Sequence, residues 1–199
     1  MSLRIILSVS IGIFAGLFIL PSSVLENTDI IIDVGLCILL FFVGIDIGRN
    51  KEVLGKIKKM GLKILLIPIM IIIGSIVGSW IGGLLIKLPL NESGAVGAGL
   101  GWYTLSSMML TNYSTELSAL AFISNVVREI IALISIPFIA KYIGYVESIA
   151  PAGATAMDTS LPVISSATSP QTAVISFVTG VILSTSVPIL VPIMINLPF

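Results

Sequence analysis

Long apolar stretches alternate with short polar interruptions along this chain. Leu3–Leu20 is the first, closed by Pro21-Ser22-Ser23. Glu26, Asn27, Thr28 and Asp29 then form a loop before a second apolar run from Ile30 to about Gly48, and a third extends from Ile64 to Ile86. Each approaches the ~20 residues an α-helix needs to cross a hydrocarbon core. After Lys87-Leu88-Pro89 the pattern changes. Gly94, Gly97, Gly99 and Gly101 crowd one stretch, followed by Trp102, Tyr103, Thr104, Ser106 and Ser107. That run is apolar enough to enter a membrane but poor in helix formers, which predicts a broken or re-entrant segment over 93–110. A full helix is expected over Glu116–Ala140, then a loop over Lys141–Glu147 and a second broken segment over 149–168. A last span from about Gln171 to Ile195 is bent near its end by Pro188 and Pro192.

These elements predict an all-α polytopic membrane protein, transporter-like, with two broken or re-entrant segments. Residues 1–92 read as a three-span N-terminal unit and residues 93–199 as a core transport unit. Arg49, Lys51, Lys56, Lys58, Lys59 and Lys63 stand against Glu52 alone in the loop 49–63. Short basic loops stay on the cytoplasmic side, so the N-terminus is expected there. The second half reads broken segment, full helix, broken segment, full helix. Interrupted segments in corresponding positions of two units point to a transporter binding site. No residue-level repeat supports the inverted repeats, which rest on element order alone. Whether 93–110 crosses the membrane or turns back stays open on sequence. Gly74, Gly78 and Gly82 form a small-residue face read as helix packing.

Composition agrees: 56% of residues are hydrophobic and 10% charged, with mean hydropathy +1.16. Net charge is zero, so nothing points to nucleic acid. Histidine is absent and Cys37 is the single cysteine, which removes the commonest metal ligand and any internal disulfide. No metal or cofactor is expected. The first span lacks an Arg/Lys-rich leader and a small-residue cleavage site, and reads as a retained helix.

The candidate chemistry centres on Pro151-Ala152-Gly153-Ala154-Thr155-Ala156-Met157-Asp158-Thr159-Ser160-Leu161-Pro162. A charge at bilayer depth costs ~2.5–3.5 kcal/mol, so Asp158 needs a partner or a watery cavity. Its alternative role is capping a half-helix. Thr155 and Thr159 offer neutral donors and acceptors beside it. Asn125, Arg128 and Glu129 stand at i, i+3 and i+4 on the full helix. Arg128 and Glu129 diverge by about 100°, so one can face a cavity while the other meets a neighbouring segment, Arg128 against Asp158 being one arrangement. A buried ion pair that fixes helix register is the competing reading. Trp102 and Tyr103 offer aromatic faces to an ammonium group, or anchor the chain at the interface. Asp46 and Asp33 read as interfacial.

Three separated blocks carry a resemblance. Gly101-Trp102-Tyr103-Thr104-Leu105-Ser106, then Ala121-Phe122-Ile123-Ser124-Asn125-Val126-Val127-Arg128-Glu129, then Gly153-Ala154-Thr155-Ala156-Met157-Asp158 with Leu161-Pro162 resemble the LysO-type lysine exporters in order and spacing. Phe41-Phe42-Val43-Gly44 looks like the family's Phe-rich span before the basic loop. The resemblance implies a prokaryotic inner-membrane protein that exports L-lysine, and thialysine with it, against proton entry. The family's intramembrane acidic residues fall on Glu129 and Asp158. Longer members carry further spans ahead of this region, which implies a homodimer or a small separately encoded membrane subunit.

Lysine carries two ammonium groups and one carboxylate. Glu129 and Asp158 suit the ammonium groups, and Arg128 or a half-helix N-terminus suits the carboxylate. A cation/proton antiporter is the alternative within transport, and a non-transporting assembly subunit, or one half of a two-component exporter, the alternative outside it. An intramembrane hydrolase is disfavoured, because no nucleophile–base pair or Gly-x-Gly-Asp pattern is present.

Overall fold

The computed structural model describes residues 2–19 and 61–198, with isolated positions between them. The loop Glu26–Asp29, Asp33, Asp46 and the basic residues from Arg49 to Lys59 lie outside the described residues. Among the described residues every regular element is helical. In chain order these are α1 (Ser2–Phe18), α2 (Leu66–Leu85), α3 (Leu90–Gly97), α4 (Tyr103–Thr111), α5 (Thr115–Tyr142), α6 (Leu161–Ala167) and α7 (Pro170–Ile195). Short 3-10 turns at Glu147–Ile149 and Gly153–Met157 fill the gap between α5 and α6. Of these helices, α2, α5 and α7 are long and apolar enough to cross a membrane.

Local chemistry sets the boundaries. The hydroxyl of Ser114 caps α5 by accepting from the Leu117 N–H at 3.3 Å, and Ser169 caps α7 through the Thr172 N–H at 3.3 Å. Pro170 and Pro162 sit at the first turns of α7 and α6, where a missing N–H costs nothing. Pro162 therefore starts a helix rather than breaking one. Pro188 and Pro192 lie within α7.

The open question about 93–110 is answered by what its two ends touch. Asn91 at the start of α3 donates to the Ile195 carbonyl at 3.2 Å. Asn112 and Tyr113, just past α4, line a cavity with Val191, Pro192 and Asn196. Both ends thus meet the C-terminal end of α7. The segment goes in and comes back, forming a first re-entrant hairpin. The stretch from Glu147 to Ala167 behaves alike from the other side, for Ala167 lines a cavity with Pro137, Lys141 and Tyr142 at the C-terminal end of α5. Two hairpins therefore enter from opposite membrane faces. Their tips meet midway, where the Ala154 N–H donates to the Leu100 carbonyl at 2.8 Å. Element order supplied the inverted arrangement; these contacts give it a geometry.

Small residues allow the close approach. A Cβ on Gly97 would collide with the Ser79 side chain of α2, and one on Gly180 of α7 with the Met157 backbone. Nothing described outside α2 lies within 4 Å of a Cβ built at Gly74, Gly78 or Gly82. The adjacent row, Ser75, Ser79 and Gly83, carries the α2–α3 contact.

Single cysteines in a Cys37→Ser background test the hairpin directly. Lys87→Cys and Asn112→Cys are expected to label from the same membrane face and Tyr145→Cys from the opposite one. Labelling of positions 87 and 112 from opposite faces would mean that the segment crosses.

Candidate functional site

Breaking a helix at depth strands backbone groups, and α5 provides the partners. Asn125 is buried and bridges the first break: its Oδ1 accepts from the Gly101 N–H at 2.8 Å and its Nδ2 donates to Val96 O at 3.3 Å. Nδ2 also reaches Ala121 O on its own helix at 2.9 Å. One turn further, Arg128 serves the second break. Its Nε donates to Pro151 O at 3.1 Å and its Nη2 to Ala150 O at 3.5 Å. Its Nη1 donates to Ser75 Oγ at 2.8 Å, and Ser75 passes its own proton to Gly97 O at 2.8 Å. Arg128 thus ties both hairpins and α2 together. The suggested pairing of Arg128 with Asp158 does not occur, because the stranded carbonyls take the guanidinium first.

Gly153 makes this possible. It adopts φ +62°, a conformation L side chains rarely take, and a Cβ there would collide with Leu100 O and lie 2.9 Å from Arg128 Nη2.

The carboxylates occupy the other side of α5. Asp158 Oδ1 accepts from the Thr159 N–H at 2.6 Å and from Thr159 Oγ1 at 3.3 Å. Glu129 stands near the Thr159 side chain and Asp158, while the direct hydrogen bonds of Thr159 go to Asp158. Both carboxylates are half-buried. Asp158 does not cap α6; Ser160 holds that position without a side-chain bond. Since α5 runs 28 residues, roughly 42 Å, and Glu129 stands near its middle, the cluster falls at the midplane of a bilayer.

The remaining expected residues divide. Thr155 is buried and turned inward, its hydroxyl 2.9 Å from Ala152 O and 2.8 Å from Ser160 Oγ, so it shapes the hairpin. Tyr103 packs edge-on against Phe122 with ring centroids 5.3 Å apart, while Trp102 is exposed at the first hairpin's tip. Ser75 escaped sequence reasoning, although its i, i+4 pairing with Ser79 on an apolar span was a legible signal. Cavities of about 330 Å³ and 310 Å³ flank the Arg128–Ser75 bond. No group of three or more metal-ligating side chains occurs among the described residues.

Opposed hairpins meeting beside ionisable side chains are the arrangement seen at transporter binding sites. The chain belongs to the lysine exporter LysO family, whose model matches residues 6–195. It is 32% identical over 157 residues to the lysine exporter LysO of Escherichia coli, covering 78% of this chain and 52% of that protein. It is 35% identical over 131 residues to a Haemophilus influenzae protein whose name provisionally assigns it lysine export, covering 63% of this chain and 64% of that protein. The chain therefore spans less than two thirds of either relative. No solved structure matches it.

Asn125→Ala strands the Gly101 N–H and the Val96 carbonyl, and is expected to destabilise the protein by about 1–3 kcal/mol per orphaned group. Ser166→Ala, at an exposed hydroxyl, is expected to be near neutral. Thermal unfolding of purified protein in detergent compares them; equal midpoints would remove Asn125 from this role. Gly153→Ala is expected to cost at least the ~1–3 kcal/mol of a strained backbone in the same assay.

Proposed function

We propose that this chain works in the export of L-lysine from a prokaryotic cytoplasm, by exchange for protons. The cluster of Glu129, Thr159 and Asp158 between two opposed hairpins is the observation that carries this reading. Two carboxylates close together at bilayer depth repel each other, and that arrangement is relieved by a bound proton or a bound cation. Lysine and proton therefore compete for the same oxygens. When lysine leaves outward a proton takes its place, and its release to the cytoplasm resets the site. Thialysine, with the same terminal groups, follows the same route. Membership in a lysine exporter family supports the choice of lysine.

The basic loop 49–63 supports a cytoplasmic N-terminus in the inner membrane. On that orientation α2 runs outward, the first hairpin opens from outside and the second from the cytoplasm. Each hairpin then closes one route to the cluster, and alternating access comes from relieving one while the other holds. Residues 93–199 supply the binding parts and residues 1–92 the framework carrying the basic loop. The half-exposed carboxylates favour a second protein surface over them, a second copy of this chain or a small membrane subunit.

Lysine flux into proteoliposomes containing this chain, with and without an imposed pH gradient, is the test. Gradient-driven movement is expected, and Asp158→Asn or Glu129→Gln is expected to lower it by on the order of 100-fold. Flux indifferent to the gradient would sink the exchange. A gradient response to Na⁺ without lysine would instead favour a cation/proton antiporter.

A further inference from the structure

Arg128 has an unusual position for a full charge. It lies midway along α5, and among the described residues every hydrogen-bond partner it has is a neutral oxygen: Pro151 O, Ala150 O and Ser75 Oγ. A guanidinium carries more N–H donors than these three contacts use. The acidic cluster does not neutralise it, because Glu129, the next residue, is turned about 100° away toward Thr159. A cation at bilayer depth is costly without a counter-charge, and carbonyls supply only partial ones.

The space around Arg128 suits an anion. The cavities of about 330 Å³ and 310 Å³ both include Ser75 and Arg128 in their walls, so they flank the guanidinium in the furrow between α2 and α5. Ser124, one helical turn before Arg128, faces the larger cavity and makes no hydrogen bond among the described residues. Ser79 and Ser93 line it further along. A free hydroxyl and spare guanidinium donors on one helix face match a carboxylate, which takes paired N–H bonds from a planar fork and a third bond from a hydroxyl. The volume exceeds what one small inorganic ion fills, and leaves room for the organic group bearing that carboxylate.

We infer that the furrow between α2 and α5 is a carboxylate subsite, in which Arg128 and Ser124 bind the α-carboxylate of the exported amino acid. This rests on the export reading above and goes beyond it: the substrate must be an amino acid with a free carboxylate rather than any organic cation. Diamines and amidated amino acids fit the acidic cluster and leave the furrow's charge unmet. Arg128 then has two duties, holding the hairpin carbonyls and receiving substrate.

Competition against labelled lysine flux in proteoliposomes of the full chain reads this out, with unlabelled lysine and lysinamide as competitors. Lysinamide keeps both amines and lacks the carboxylate. It is expected to compete on the order of 100-fold more weakly than lysine, the scale on which a site built to bond a polar group rejects an analogue without it. Ser124→Ala and Arg128→Lys are expected to weaken lysine and leave lysinamide unchanged, closing the gap. A purely structural role for either residue would weaken both competitors alike and preserve the gap, which would overturn the inference. Ser124→Ala removes a hydroxyl without a partner among the described residues, so the test survives if the Arg128 variant unfolds. Equal competition by lysine and lysinamide in the unaltered chain also overturns it while leaving lysine export intact. Equal competition together with a requirement for chloride assigns the furrow to an inorganic anion. Absence of lysine flux in folded protein overturns the export reading, and the carboxylate subsite with it.

Discussion

A backbone group left unpaired in hydrocarbon costs several kcal/mol, and this fold breaks two segments at that depth. Everything near the breaks follows from meeting the cost. Asn125 takes the first break and Arg128 the second, while Ser75 relays Arg128 to Gly97. The tips also serve one another through Ala154 and Leu100. Side chains on one helix, α5, thus substitute for the missing turns of two others. Close packing at Gly97 and Gly180 keeps these short side chains within reach.

The division of labour on α5 is the second consequence. Asn125 and Arg128 point toward the breaks and Glu129 toward Asp158, although Arg128 and Glu129 are neighbours in sequence. An adjacent positive and negative residue ordinarily suggests a pair. Here a helical turn of ~3.6 residues separates them onto different surfaces. The acidic side remains half-buried.

Much of the architecture was legible from the long apolar runs and from the glycine, proline and hydroxyl clusters between them, where helix propensity is poor. The three long helices, the two interrupted stretches and the membrane class were readable in that way. The return of the first hairpin was not, since it depends on Asn91 meeting Ile195 more than a hundred positions away. Spacing also gave the faces of Arg128 and Glu129 without giving their partners. Arg128 against Asp158 was one arrangement it left open, and the stranded carbonyls of Ala150 and Pro151 prevailed. The α2–α3 contact runs through Ser75, Ser79 and Gly83, whose serines were readable only as an i, i+4 pair in an apolar run.

The meeting of hairpin tips at mid-depth also has an electrical meaning. The two hairpins meet at Leu100 and Ala154, so water entering behind either one would stop there. A membrane voltage drops mostly across the poorest conductor, so with both hairpins hydrated it would fall on a short stretch of protein rather than on the whole hydrocarbon thickness. Any cation carried past Glu129 and Asp158 would traverse most of the field in a small displacement. It would meet nearly all of the ~2.3 kcal/mol per elementary charge that 100 mV supplies, without any large movement of the chain.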